Sequence, residues 1–418
     1  MKSDFVNRIF RGDKGIWFIF MFLCMISVVE VFSATSQLSY HSDSFWGPIS
    51  GHCIHMLLGV IVAILIHLLP AKWWKLLGPV MLLVSLCMLL YLLVGPNTQT
   101  ANDATRWIRV FGFTLQPSEI AKLAVVMVVA LLLAKMDTSD IRSAWKSFVI
   151  IMGIALLFTV LILPENLSTA ALLMLTVVLM TIIAGVPRRI LLPVYGIGSI
   201  LVALMLAFFI VTPTAYMYNI ARNTPLHRLD TWQQRCTDFV VQMPDDPTQY
   251  NVNDQNRQIT HALIAVSSGG LIGVGPGNSV QRDFLSRADN DFIYAIILEE
   301  LGLVGGIFVL LLYIALLVRT GKIARKCKSM FSSMLVTGCA LMLVVQAFMH
   351  MLISVNMFPI TGQTLPLISR GGTSVIISCM YIGIILSVSR SVEEQEVPSE
   401  MAEEMPLGNI PEELETEL

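Results

Sequence analysis

The chain has 418 residues, of which 55% are hydrophobic and 13% charged, with a formal net charge of −2 and a mean hydropathy of +0.73. Soluble domains carry roughly a quarter charged residues, so the composition excludes an ordinary water-soluble domain, and no nucleic-acid partner is expected. A helix crosses the hydrocarbon layer with about 20 mostly apolar residues. Ten stretches satisfy that length, at about 14–36, 51–69, 75–95, 117–135, 146–163, 167–185, 189–213, 291–318, 330–356 and 371–390. The expected fold class is an all-α polytopic membrane protein with ten transmembrane helices.

Residues 1–13 form a basic N-terminus, and the first span lacks a small-x-small cleavage site, so it reads as an uncleaved signal-anchor. Positively charged loops stay in the cytoplasm. With the N-terminus inside, 17 of the 27 Lys and Arg residues fall on the inner side and six in the long loop 214–290 between spans seven and eight. Both ends are then cytoplasmic and the long loop is extracytoplasmic. His52 and His55 share a helical face without an acidic or cysteine partner, and read as a polar helix end rather than a metal site. Of the seven cysteines only Cys236 lies in the long loop, which implies no disulfide framework there.

Several stretches carry more than span-forming information. Arg106 and Trp107 precede the fourth span, where they either anchor it at the interface or hold a phosphate and a sugar or lipid surface. "LQPSEIAKLAVV" opens that span with Gln116, Pro117, Ser118 and Glu119 and then places Lys122 inside it. A central charge costs about 2.5–3.5 kcal/mol on insertion scales. Spacing of three makes Glu119 and Lys122 either a self-neutralising pair or a cation facing a polar cavity. "RQITHALIAV" sets Ile259, Ala262, Leu263 and Val266 against Arg257, Gln258 and His261, which suits an amphipathic helix on the membrane surface or one packed on the bundle. "SSGGLIGVGPGNS" lacks the Gly-Lys-Ser/Thr ending of a phosphate loop and reads as a flexible turn that lets backbone approach a ligand.

Asp291 stands where "RADND" meets an apolar run. It is either a helix cap or a general base, whose pKa the negative Glu299 and Glu300 would raise. "NMFPITGQTLPLISRGGTS" (356–374) combines two prolines with three glycines. Such irregular backbone survives at membrane depth only under protein or beside a wet cavity. Its Ser369, Arg370, Gly371 and Gly372 present donors and a cation at the start of the last span. The tail 391–418 holds ten Glu and no Lys or Arg, which leaves +8 on the rest of the chain, and is expected to be a disordered cytoplasmic segment.

Taken in order, "ATRWI", "QPSEIAKL", "SSGGLIGVGPGNSVQ", "NDFIYAIILEELGLVG" and "NMFPITGQTLPLISRGGTS" resemble the signatures of the SEDS proteins, the FtsW- and RodA-like family of shape, elongation, division and sporulation. The resemblance covers nearly all of the chain to about residue 390 and implies a ten-span SEDS fold. It also implies a peptidoglycan glycosyltransferase that polymerises lipid II on the outer face of the bacterial cytoplasmic membrane, partnered by a class B penicillin-binding transpeptidase and other divisome proteins. The family's essential aspartate falls on Asp291. Where the family has Leu-Pro-Glu-x-His-Thr, this chain has Leu285 to Asn290, and its Pro-Asp-x-Gly-Thr motif appears here as Glu165-Asn166-Leu167-Ser168-Thr169. The "ISRGGTS" variant and the appended tail favour the division branch, with septal location, over the elongation branch.

The expected chemistry has Asp291 taking the proton of an acceptor sugar hydroxyl while Arg106, Lys122 and Arg370 neutralise a departing diphosphate. Trp107, Gln116, Glu119, Gln258, Ser369, Gly371 and Gly372 complete the expected substrate-binding set. A divalent cation, Mg or Mn, is a candidate cofactor, and no nucleotide is expected. A lipid II flippase would account for the intramembrane charges equally well without needing a base.

Overall fold

A bilayer offers no water to backbone N–H and C=O groups, so an apolar stretch inside it folds as a helix that satisfies them internally. The computed structural model describes residues 11–40, 47–94, 98–101, 104–110, 113–213, 216–217, 229–241, 257–285 and 287–403. The ten spans correspond to α1 (Lys14–Tyr40), α2 (Gly47–Leu68), α3 (Trp74–Val94), α4 (Pro117–Lys135), α5 (Ile141–Ile162), α6 (Leu167–Ile183), α7 (Arg188–Val211), α10 (Ile293–Lys326), α11 (Met330–Ser354) and α12 (Gly372–Glu403). Between α7 and α10 lie two short helices, α8 (Leu229–Val241) and α9 (Arg257–Gly269). Among the described residues nine helices are long and apolar enough to cross a membrane, and α6 is a shorter apolar helix of 17 residues.

The helices α4, α11 and α12 are buried along most of their length and form the centre, whereas α7 is almost wholly exposed and packs mainly on α8. Close helix contact depends on small residues: a side chain at Gly383 would collide with Ala63 and Ile66 of α2. At one end of the bundle Arg319 pairs with Asp13 at 2.9 Å, and Gly12 N donates to Glu393 Oε2 at 2.7 Å. This basic rim carries both termini of the described bundle. The opposite end, termed here the site side, carries α8, α9 and the segments on either side of α10 and α12.

The all-α polytopic class holds, and four findings refine the reading. First, a small three-stranded antiparallel sheet joins two spans, made of β1 (Thr98–Ala101), β2 (Ala104–Val110) and β3 (Phe113–Leu115). Its β-branched and aromatic residues, Thr105, Trp107, Ile108, Val110, Phe113 and Thr114, suit a pleated surface, and it rests on α3 and α4. Second, α12 does not stop at residue 390 but continues to Glu403. Glutamate is a good helix former, and Glu394 lies 3.7 Å from Arg390 one turn back; residues 404–418 lie outside the described set. Third, of the two places open to α9 it takes the one packed on the bundle, against α10, with Ile259, Ala262 and Ala265 buried.

The fourth finding concerns span eight. It is broken at Gly302, whose φ of +66° and ψ of −170° are not helical. A break strands the carbonyls before it and the amides after it, and the glycine-rich segment supplies their partners. Val274 N and Gly275 N donate to the carbonyls of Glu299 and Glu300 at 3.0 and 2.9 Å, while Leu303 N and Val304 N donate to Gly270 O and Leu271 O at 3.0 and 3.1 Å. Backbone thus approaches backbone here, where the sequence suggested that it approached a ligand. Glu299 and Glu300 cap the same loop: Gly277 N and Ser279 N donate to Glu300, and Val280 N to Glu299.

A Cβ at Gly302 would overlap Gly273 N, and one at Gly273 would overlap Glu300 O, both at positive φ. Gly302→Ala and Gly273→Ala are each expected to destabilise the fold by at least about 1–3 kcal/mol, lowering the thermal unfolding midpoint in detergent. Gly196→Ala, where nothing lies within 4 Å of an added Cβ, is the control and should leave that midpoint unchanged or slightly raised.

Candidate active site

Asp291 is set at the mouth of the short helix that precedes the break. A turn delivers it: Asn290 N and Asp291 N both donate to Arg287 O at 3.0 Å, and Arg287 takes a φ of +67°. The N-cap position of α10 is Phe292, which makes no side-chain cap bond, so Asp291 stands one residue ahead of the cap. Arg287 Nη1 lies 3.9 Å from Asp291 Oδ2. On the other side, a Cβ built on Gly362 would stand 3.6 Å from the same oxygen, so the loop joining α11 to α12 is seated against the carboxylate. Glu299 and Glu300 are eight and nine residues further along, about 12–14 Å by helical rise, with their carboxylates held by the glycine loop. Both carboxylates thus serve the loop 277–281 rather than the Asp291 turn.

The α11–α12 loop is clamped to the Asp291 turn. Arg370 N donates to Asp289 O at 2.8 Å and Arg370 Nη1 to Asp289 Oδ2 at 2.9 Å. Ser369 Oγ donates to Asn290 O at 2.8 Å while accepting from Leu365 N at 2.7 Å. Ser27 Oγ of α1 donates to Ile368 O at 2.7 Å. Having spent its hydrogen there, Ser27 accepts from His52 Nε2 at 2.9 Å. Tyr313 OH donates to Pro366 O. His55 Nε2 lies 3.5 Å from where a Cβ on Gly372 would stand. The histidine pair of α2 thus faces the loop.

Beneath the loop runs a buried polar network. Lys122 is fully buried, 2.8 Å from Glu119 Oε1, and its Nζ donates to Gln346 Oε1 at 2.9 Å. Gln346 Nε2 donates to Thr364 O at 3.0 Å. Next to it Gln363 Nε2 donates to Thr169 Oγ1 and Asn166 Oδ1 at 3.0 and 3.3 Å, and His350 Nδ1 donates to Gln363 O at 2.7 Å. Asn166 also caps α6 through Thr169 N. Of the two readings of Lys122, the pair with Glu119 is the one present. A fully buried ammonium is costly unless paired and hydrogen-bonded, and its partners here are Glu119 and Gln346, through which it supports the loop.

The structure gathers Gln116, Ser369, Arg370, Gly371, Gly372 and Asp291 at the site side. Gln116 N donates to Thr373 Oγ1 at 3.4 Å and so ties the start of α4 to the start of α12. Trp107 is half-buried in β2, and Gln258 is half-buried in the first turn of α9; the side chain of Arg106 lies outside the described residues. Arg287, Asp289, Gly362 and Gln346 were not foreseen as parts of the site. Only the first two had a sequence signal, since both flank Asp291 in a polar run. A groove bordered by Asn166, Ser168, Trp232, Arg235, Pro359 and Thr361 adjoins the loop beyond Gly362. Among the described residues no three His, Cys, Asp or Glu side chains converge on a point that would hold a metal. Asp289 is engaged by Arg370.

These features define a polytopic membrane protein whose site-side loops converge on one aspartate at the end of a broken span. The chain belongs to the family of cell cycle proteins FtsW, RodA and SpoVE, which it matches over residues 13–394. A probable peptidoglycan glycosyltransferase FtsW of Halomonas elongata is 32% identical over 390 residues, covering 90% of this chain and 91% of that one. One from Geobacter metallireducens is 30% identical over 390 residues, covering 92% and 96%. The rod shape determining protein RodA of Thermus thermophilus shares the fold with a TM-score of 0.62 at 22% identity, over 91% of this chain and 97% of its own. A chain from a peptidoglycan synthase complex, described as coordinating polymerization and crosslinking, gives a TM-score of 0.68 at 22% identity, over 91% and 98%.

Removing one member of a buried ion pair leaves an uncompensated charge and costs about 3–5 kcal/mol, while replacing both is far milder. Lys122→Ala should therefore lower the unfolding midpoint strongly. The double variant Glu119→Gln with Lys122→Met should regain much of the loss in the same detergent-based unfolding measurement.

Proposed function

We propose that this protein is a peptidoglycan glycosyltransferase that polymerises lipid II at the outer face of the bacterial cytoplasmic membrane, in septal wall synthesis. The observation that carries the reading is the seat of Asp291, a partly exposed carboxylate held between Arg287 and Gly362 at the end of the bundle remote from the basic rim. Basic rims lie in the cytoplasm, so the site side is the outer side. The activity in the names of the relatives agrees with a sugar-transfer site there.

No nucleotide supply exists outside the cell, so the energy arrives with the donor as its diphosphate bond. Asp291 accepts the proton of the acceptor sugar's 4-hydroxyl as its oxygen attacks the donor's anomeric carbon. The new bond forms on the face opposite the leaving group, which inverts the anomeric centre. The bond from that carbon to the diphosphate oxygen breaks, and its electron pair departs with undecaprenyl diphosphate. Arg287, 3.9 Å from the carboxylate, and Arg370, bound to Asp289 two residues before it, are both partly exposed and offset the negative charge that develops. Lys122 and Gln346 act at one remove by holding Thr364 and thus the loop that flanks Asp291. A class B penicillin-binding transpeptidase is the proposed partner, crosslinking the strands that this chain makes.

The reading is tested with purified protein and lipid II. Asp291→Asn, which keeps size and shape but removes the base, should cut glycan polymerisation by about 10²–10⁴-fold while the unfolding midpoint is retained. Full polymerisation by that variant would overturn the proposal. Lipid II translocation in vesicles that survives the same substitution, in a protein that never made polymer, would mark a flippase instead, since translocation needs no base.

A further inference from the structure

The glycine-rich loop leaves an unexplained feature. Leu271 and Ile272 at its tip are 69% and 83% exposed, although the backbone on either side is pinned to the break in α10. Two large aliphatic side chains held rigidly outward on an aqueous surface would be unfavourable, so the depth of the tip in the membrane matters.

That depth follows from the length of the helix. Arg319, paired with Asp13 at the basic rim, marks one boundary of the hydrocarbon. From there the unbroken part of α10 reaches back to Leu303, 16 residues away, or about 24 Å at 1.5 Å per residue. The hydrocarbon layer is about 30 Å thick. The break therefore falls about 6 Å inside the far boundary, and any tilt of the span places it deeper. Open helix ends are not tolerated at that level unless protein covers them.

The loop provides this cover. Its amides at 274 and 275 and its carbonyls at 270 and 271 are consumed by the break, and Gly273 N donates to Gly269 O at 2.8 Å. Few polar groups of the segment are left to resist burial in an apolar medium. Its outward face continues the exposed apolar stripe of Leu303, Val304, Ile307, Phe308 and Leu311, spaced so as to lie on one side of the helix. In a membrane-spanning helix that stripe faces acyl chains.

We propose that residues 270–274 form a re-entrant, lipid-facing plug, with Leu271 and Ile272 inserted among the acyl chains of the site-side leaflet. The partner is the bilayer itself. The plug seals the broken backbone of span eight and fixes the level at which the turn carrying Asp291 meets the headgroups. This inference stands independently of the glycosyltransferase reading.

Leu271→Trp and Ile272→Trp, made in the full chain and reconstituted in nanodiscs, test it by difference fluorescence against the parent protein. The added emission should be blue-shifted, largely lost in phospholipids brominated near the top of the acyl chain, and unaffected by aqueous iodide. Asp283→Trp, at a half-exposed position on the neighbouring turn, should show the reverse. Quenching by iodide at 271 and 272 would overturn the proposal, because the tip would then stand in water. Protection from both quenchers would overturn it too, because protein rather than lipid would cover the tip. If a tryptophan variant fails to fold, a nitroxide on Ile272→Cys in a chain whose native cysteines are replaced reports the same property. Greater collision with oxygen than with a water-soluble nickel chelate supports insertion, and the opposite ratio rejects it.

Discussion

Unpaired backbone groups cannot be left in hydrocarbon, and this protein contains two places where that rule is put under pressure. One is the break at Gly302; the other is the irregular loop between α11 and α12. Each is repaired by a partner segment distant in sequence. Amides and carbonyls of 270–275 take up the stranded groups of α10, and side chains from α1, α10 and α11 take up carbonyls of the loop. The repaired α11–α12 loop in turn holds the turn that presents Asp291, through Ser369 and Arg370. The same constraint that permits the fold in a membrane thus leaves one carboxylate at a fixed position near its surface.

Charge is distributed by a related logic. Lys122, Glu119, Glu299 and Glu300 are all buried in or beside spans, and each is compensated by direct hydrogen bonds or ion pairing. Buried and fully partnered, they organise backbone. Asp291 differs in keeping partial exposure and a guanidinium at 3.9 Å rather than in tight contact. Arg370 combines the two characters: its main chain and one guanidinium nitrogen bind Asp289, yet a third of its side chain is open. Groups intended to act on a substrate need such access, whereas groups that hold structure are better without it.

The histidines illustrate how a weak sequence feature acquires a meaning. His52 and His55 read as a polar helix end, with nothing nearby in sequence to suggest another role. In the fold they face the Ile368–Gly372 stretch, and His52 passes its hydrogen bond through Ser27 to the carbonyl just before Ser369 and Arg370. Asn166 follows the same pattern. It departs from the acidic residue of the family motif, but its amide oxygen still caps α6 and accepts from Gln363. Neither oxygen contact requires a negative charge.

The sequence alone determined the ten apolar stretches, the clustering of Lys and Arg and the motifs that mark Asp291, Arg370 and the α11–α12 loop. These are local properties: hydropathy over about 20 residues, Lys and Arg content, and short runs of unusual residues. It did not reveal the small sheet of β1, β2 and β3, whose strands are short and amount to a connection between spans. Nor did it reveal the break at Gly302, since a single glycine within "EELGLVGG" is compatible with a continuous helix until a separate segment arrives to bond the freed groups. For the same reason Lys122 was ambiguous. Whether an ammonium faces a cavity or a partner depends on Gln346, 224 positions later, and only the tertiary structure brings such distant donors and acceptors within reach.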